Sequence, residues 1–139
     1  MRAKIESPEQ ALTFINGTNA TFTIVSPLTQ VRFTYKVRES KDGKVKFVSL
    51  LNGPSNEHNY VYMGLLKNNR IVFSKGSKVS PDATSAKALR WALRQLDAGR
   101  MSFEFWHEGR CCMCGRKLTV PSSIETGIGP ICAERGMLK

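Results

Sequence analysis

No stretch of the chain approaches the roughly 20 apolar residues of a membrane span, and the opening Met1-Arg2-Ala3-Lys4-Ile5-Glu6 lacks the apolar run of a signal peptide. Both absences point to a cytoplasmic protein with reduced cysteines, in which the Asn-x-Thr sequons at Asn16 and Asn19 are chance matches. Internal repeats, low-complexity tracts, a phosphate-cradling glycine loop and a carboxylate pair are all missing. Histidine is scarce: among 139 residues there are two, His58 beside Glu57 with no nucleophile nearby, and His107. With no catalytic constellation, the expectation is a protein that is not an enzyme. Acid is also in short supply, with 11 Asp and Glu against 21 Lys and Arg for a net charge of +10. Mimicry of a polyanion is thereby excluded. Residues 1–100 hold 16 of the cations against 7 acids, whereas residues 101–139 hold 5 against 4, so attraction to a polyanion belongs to the body of the protein.

Ser7-Pro8-Glu9-Gln10 combines a capping serine, a proline suited to the first helical position and a glutamine three residues after the cap, predicting a helix of about ten residues before Asn16-Gly17. From Thr21 the period changes. Phe22, Ile24 and Val25 read as a strand ended by Pro27, and Val31 to Arg38 alternates apolar and polar residues through eight positions. Turn chemistry at Glu39 to Gly43 and the return through Lys44 to Leu50 make a hairpin. Further strands are expected at Tyr60–Leu66 and Ile71–Phe73, and the weak alternation of Met101–His107 predicts a strand leading into the cysteine segment. A helix should start at Ser80-Pro81-Asp82, bury Leu89, Ala92, Leu93 and Leu96, and stop at Gly99. The fold class is α+β: an antiparallel sheet of four to five strands with one face packed by a helix (residues 1–100), plus a small C-terminal metal module (residues 101–139).

Alternation places Val31, Phe33, Tyr35, Val37, Val45 and Phe47 on one side of the hairpin and Arg32, Lys36, Arg38, Lys44 and Lys46 on the other. No acid lies within these two runs, so the cationic row suits an anionic partner. Tyr60 and Tyr62 share a face, where they either half-bury in the sheet or stack on bases. Lys87, Arg90 and Arg94 share one side of the second helix with Trp91 at its edge, which is either an ordinary wet side or a second cationic strip.

All four cysteines fall late in the chain. Cys111 and Cys114 form a Cys-x-x-Cys-Gly knuckle able to grip one tetrahedral zinc, and Cys132 brings a third sulfur. Cys132 follows Pro130 near the start of an expected terminal helix, where free amides favour a thiolate. His107 is the nearest fourth ligand and Cys112 its competitor; three thiolates and a histidine close the shell, which reads as structural zinc. The nucleobase-deaminase pattern fails, because His107 and Glu108 are adjacent and only a few residues from the knuckle.

These residues carry a resemblance. Cys111-x-x-Cys114-Gly115-Arg116-x-Leu118, then Ser123 and Gly127-x-Gly129-Pro130-x-Cys132, resembles a family of small uncharacterised zinc-binding modules found in bacteriophage proteins and fused to helicase-like and other nucleic-acid-handling proteins. It covers roughly residues 105–136, and the extra Cys112 departs from its pattern. The first hundred residues resemble phage hypothetical proteins. The resemblance implies zinc and a phage or mobile-element origin. Two functions follow as expectations. One is a non-enzymatic zinc-binding accessory protein that binds nucleic acid through Arg32, Lys36, Arg38, Lys44, Lys46, Lys87, Arg90 and Arg94, with zinc on His107, Cys111, Cys114 and Cys132. The other is a phage anti-defence inhibitor or adaptor, anti-CRISPR-like, that acts by protein binding to a host nucleic-acid-handling complex.

Overall fold

The computed structural model describes residues 3–53, 59–115, 117–118 and 126–128. Its elements are β1 (Ala3–Ile5), α1 (Pro8–Ile15), β2 (Asn19–Val25), β3 (Arg32–Glu39), β4 (Lys46–Leu51), β5 (Tyr60–Lys67), β6 (Arg70–Val72), α2 (Thr84–Asp97) and β7 (Glu104–His107). The α+β expectation holds, but among the described residues the sheet has seven strands, not four or five, in the antiparallel order β1-β7-β2-β3-β4-β5-β6. The additional members are β1, which the sequence does not announce, and β7, whose strand is expected but in the C-terminal module and not in the sheet of the body. β7 lies between β1 and β2, with Phe105 opposite both Ile5 and Ile24. A three-residue strand such as β1 has no measurable period, and a partner so distant in sequence leaves no local signal. Sheet membership of β7 means that the strand leading into the cysteine segment is an interior strand of the body.

Local chemistry explains the helices. The Ser7 hydroxyl accepts the Gln10 N–H at 3.3 Å and Pro8 opens α1, as the sequence predicts. The second helix begins later than expected, at Thr84. The Ser80 hydroxyl accepts the Asp82 N–H (3.2 Å) and the Ser80 carbonyl accepts the Ala83 N–H (3.0 Å), so Ser80-Pro81-Asp82 closes a turn instead of capping the helix. Gly99 stops α2 as expected, at φ +74°.

Both helices pack on one face of the sheet. Leu89, Ala92, Leu93 and Leu96 of α2 join Phe14 and Ile15 of α1 against Phe22, Tyr35, Val37, Val48 and Phe105, all of them buried. Phe22 and Phe105 stack at 5.0 Å between ring centroids, and Phe14 meets Phe105 edge-on at 5.8 Å. Tyr35 is fully buried under α2 and donates its hydroxyl to the Ser85 carbonyl at 2.7 Å.

Burial raises the Tyr35 phenol far above its ordinary value of 10.0. The neutral form is therefore the one the fold requires. Its stabilising effect is complete below pH 10 and is lost as pH rises further, at about 1.4 kcal/mol per pH unit once the unfolded phenol ionises. Urea unfolding at pH 7, 9, 10 and 11 is expected to show this decline. Tyr35→Phe should cost about 1 kcal/mol at pH 7 through the lost hydrogen bond and flatten the alkaline limb; an unchanged limb would rule Tyr35 out as its source.

Candidate functional site

Residues directly opposite each other in an antiparallel pair share a face, so the register fixes which side chains lie on the side that neither helix covers. Arg38 pairs with Phe47 and Asn19, Lys36 with Ser49 and Thr21, and Thr23 with Trp106. The open face therefore carries Arg32, Lys36 and Arg38, as the alternation of β3 predicts. It does not carry Lys46. Glu39 pairs with Lys46 and Val37 with Val48, which puts Lys46, Val48 and Leu50 on the helix side and Phe47 on the open side, the reverse of the expected assignment for β4. Lys46 is engaged elsewhere, where its ammonium donates to the Asn16 carbonyl at 2.6 Å and the C-terminus of α1 gathers partial negative charge. Lys44 lies in the hairpin turn, its N–H bonded to the Asp42 carboxylate, and Val45 precedes β4. Val31, likewise expected in the core, is 47% exposed just ahead of β3.

The inversion brings aromatic rings among the cations. Phe47 is 43% exposed and meets Tyr62 edge-on, with ring centroids 6.2 Å apart. The Lys36 ammonium stands 4.2 Å from the centre of the Tyr60 ring. Trp106, held by an indole N–H bond to the Glu104 carboxylate (3.0 Å), extends the aromatic series across β7. Beside it, Val25, Gln30, Arg32, Glu104 and Trp106 enclose about 250 Å3.

A larger cavity of about 450 Å3 opens on the same face between β2, β3 and the segment after β7, lined by Asn19, Thr21, Lys36, Arg38, Glu108 and Arg110. Gly115 joins this lining at φ +77°, where a Cβ would approach the Asn19 side-chain nitrogen to 2.8 Å. Arg110 is steadied by a bond to the Gly115 carbonyl (3.2 Å). Tyr60 borders this region: burial pushes its phenol up, the Glu108 carboxylate adds to the rise, and Arg38 opposes it. Its hydroxyl is shielded and has no hydrogen-bond partner among the described residues. Glu108 and Arg110 escaped the sequence reading because their membership of this face follows from the insertion of β7 into the sheet.

The helix row is elsewhere. Since α2 covers the opposite face, Lys87, Arg90 and Arg94 are separated from Arg32, Lys36 and Arg38 by the sheet itself. Arg90 is tethered by a 2.6 Å bond to the Pro81 carbonyl and lies over Phe73, and with Arg70 and Arg94 it borders a cavity of about 200 Å3. Trp91 is 45% exposed and tilts onto Phe103.

Around the cysteines, the Cys111 sulfur accepts the Met113 N–H at 3.4 Å, and the Cys111 carbonyl accepts the Gly115 N–H at 2.9 Å. An amide pointing at sulfur and a left-handed glycine after the second cysteine fit a turn whose thiolates hold a metal. Cys114 is exposed. His107 is fully buried against Phe14, and its Nδ1 accepts the Gly109 N–H at 2.9 Å. A ligating imidazole gives its bare nitrogen to the metal, so coordination through Nδ1 requires exchange of this bond. Among the described residues no three His, Cys, Asp or Glu side chains converge on one metal position. Cys132, Arg116, Ser123, Gly129, Pro130 and His58 lie outside the described residues.

Cys112 packs against the end of α1. Its N–H donates to the Gly127 carbonyl and its carbonyl accepts from Asn19, while a Cβ on Gly17 would come within 2.9 Å of its sulfur and would collide with its carbonyl oxygen. Gly17→Ala should accordingly cost about 1–3 kcal/mol in chemical denaturation, as overpacking against backbone does. A loss below about 0.5 kcal/mol would show that the knuckle can move away from α1.

Residues 102–135 match a family of unknown function, DUF6011. The matched span begins just before β7 and takes in all four cysteines. No curated protein and no solved structure is significantly similar to the chain. No helix among the described residues is long and apolar enough to cross a membrane.

Proposed function

We propose that the protein is a non-enzymatic, phage-type accessory factor of the cytoplasm that binds single-stranded nucleic acid on the open face of its sheet. The interleaving of Arg32, Lys36, Arg38 and Arg110 with Phe47, Tyr60, Tyr62 and Trp106 on that one face carries the reading. Cations suit phosphates, and aromatic rings suit unpaired bases, since the bases of a duplex are already stacked on each other. A domain lying in the major groove of duplex DNA would need cations without this aromatic platform.

Zinc belongs to the same reading. His107, Cys111, Cys114 and Cys132 would hold it, and its chemistry there is structural, joining the knuckle to the end of the chain. The resemblance of the cysteine segment to modules in phage and helicase-like proteins supports both the metal and the setting.

Fluorescence anisotropy with a labelled oligo-dT, repeated from 50 to 300 mM salt, tests the binding. Four phosphate contacts predict a slope of about −3 in log affinity against log salt. Trp106 emission should be quenched, and Trp91→Phe should leave that quenching intact. Absence of binding to both single-stranded DNA and single-stranded RNA at 50 mM salt would exclude the proposal.

The inhibitor or adaptor reading has one observation in its favour. Phe47, Leu65 and Val72 align across β4, β5 and β6 into an apolar strip at one end of the open face, with Val72 42% exposed. A pull-down that recovers one host complex equally with and without nuclease would favour it over nucleic-acid binding.

A further inference from the structure

Arg90 and Arg94 stand one turn apart on α2, a spacing at which like charges repel, and Arg70 at the start of β6 joins them around the cavity of about 200 Å3. Among the described residues no carboxylate lines this cavity, and none of the three guanidiniums forms an ion pair. Three cations gathered without a counterion suit an anionic ligand, whose charge offsets their repulsion.

The local structure holds these groups in place. Asn68 and Asn69, at φ +51° and +61°, close the two-residue turn that sets Lys67 opposite Arg70. The Asn69 side-chain oxygen accepts the Asn16 amide at 2.8 Å, which ties this turn to the end of α1 and leaves Asn69 its own amide donors to offer. Arg90 spends one donor on the Pro81 carbonyl and lies over Phe73, which steadies its guanidinium and leaves most of its five N–H groups. The side chains that complete the lining, Ile71 and Leu93, are buried and apolar and contribute no acceptor. A lining whose polar side chains are donors matches an oxyanion, whose bare oxygens all accept.

Size and charge choose among oxyanions. Pockets that enclose whole small molecules begin at about 300 Å3, so this one takes a group and not a nucleotide. A phosphodiester within a strand has a single negative charge and two free oxygens, whereas a phosphate monoester at neutral pH has nearly twice the charge and three strong acceptor oxygens. Guanidiniums grip such oxygens in a planar fork, and three of them match the monoester. We propose that Arg70, Arg90 and Arg94, gathered around this cavity between β6 and α2, form a site for a phosphate monoester. It lies across the sheet from Arg32, Lys36 and Arg38 and does not depend on single-strand binding there.

Amide NMR spectra of the full-length protein, titrated with methyl phosphate or dimethyl phosphate at constant ionic strength, read both affinity and place. Methyl phosphate should shift the amides of Asn69, Arg70 and Ile71 and of Arg90 through Arg94 saturably, at least about tenfold more tightly than dimethyl phosphate does. Arg70→Gln and Arg94→Gln, both at exposed positions, should each weaken it about tenfold, whereas Lys87→Gln, an equal loss of charge outside the lining, should change it less than about twofold. The comparison of the two esters varies only the ligand and so stands even if a variant folds poorly. A short oligo-dT with and without a 5′ phosphate separates the sources of the monoester. A gain from the 5′ phosphate that Arg94→Gln removes assigns the site to strand ends, and equal affinities beside tight methyl phosphate binding assign it to a monoester other than a strand end. No saturable shift, equal affinity for the two esters, equal losses from Arg94→Gln and Lys87→Gln, or shifts confined to Lys36 and Arg38 on the open face would overturn the proposal.

Discussion

Cys114→Ser is expected to reduce bound zinc from one per chain to a small fraction, and with it the protease resistance of the segment beyond Gly109. Structural zinc in small modules contributes on the order of 10 kcal/mol at neutral pH, more than the whole stability of many domains. Cys114 is exposed, so its sulfur makes little packing contribution and the change isolates the metal. In metal-free buffer the two proteins should therefore unfold alike. In zinc-replete buffer only wild type should resist trypsin at Arg110 and Lys117, while the sheet, with β7 hydrogen-bonded on both edges by β1 and β2, stays intact in either. Because Arg110 and Gly115 line the large cavity, the variant should also bind oligonucleotide more weakly. Metal analysis, limited proteolysis and near-ultraviolet circular dichroism provide the readouts. Equal zinc content in wild type and variant would remove Cys114 from the ligand set.

Elements built from near neighbours were legible in the sequence. Ser7 and Pro8 announce α1, eight alternating positions announce β3, and Leu89, Ala92, Leu93 and Leu96 announce the buried stripe of α2, because each pattern is complete within a few turns or residues. The side chosen by β4 was not legible. Val45-Lys46-Phe47-Val48 has apolar residues at both parities, and only the closure of the turn, where Ser40 N–H donates to the Val45 carbonyl, sets Val48 against Val37. That one-residue difference sends Lys46 to the end of α1 and Phe47 to the cationic face. Likewise β7 alternates weakly, and its place between β1 and β2 depends on contacts across the length of the chain. The cations of β3 were found from the pattern; their neighbours Glu108, Arg110, Trp106 and Phe47 needed the register.

Reversing Lys36 and Arg38 together, as Lys36→Glu with Arg38→Glu, should weaken oligonucleotide binding about a thousandfold. The charge at the phosphate path changes by four units, each worth about 1 kcal/mol across a wet surface, and about 4 kcal/mol corresponds to roughly three decades of affinity. The salt slope should fall by about 1.4 as two contacts are lost. Lys36→Glu also takes the ammonium from over the Tyr60 ring, so a base stacking there meets a carboxylate in its place. The informative control is Lys87→Glu with Arg94→Glu, which changes the net charge equally on the far side of the sheet. If binding is local to the open face, this second variant should stay within a few-fold of wild type, since charges that far apart are screened beyond a Debye length of about 10 Å. Equal losses from both pairs would mean that net charge drives the association, and a loss confined to the helix pair would move the interface to α2. Circular dichroism and melting of both variants separate these outcomes from misfolding, and retention of the native melt is expected for each because Arg38, Lys87 and Arg94 are exposed and Lys36 lies half-buried on the wet side of the sheet.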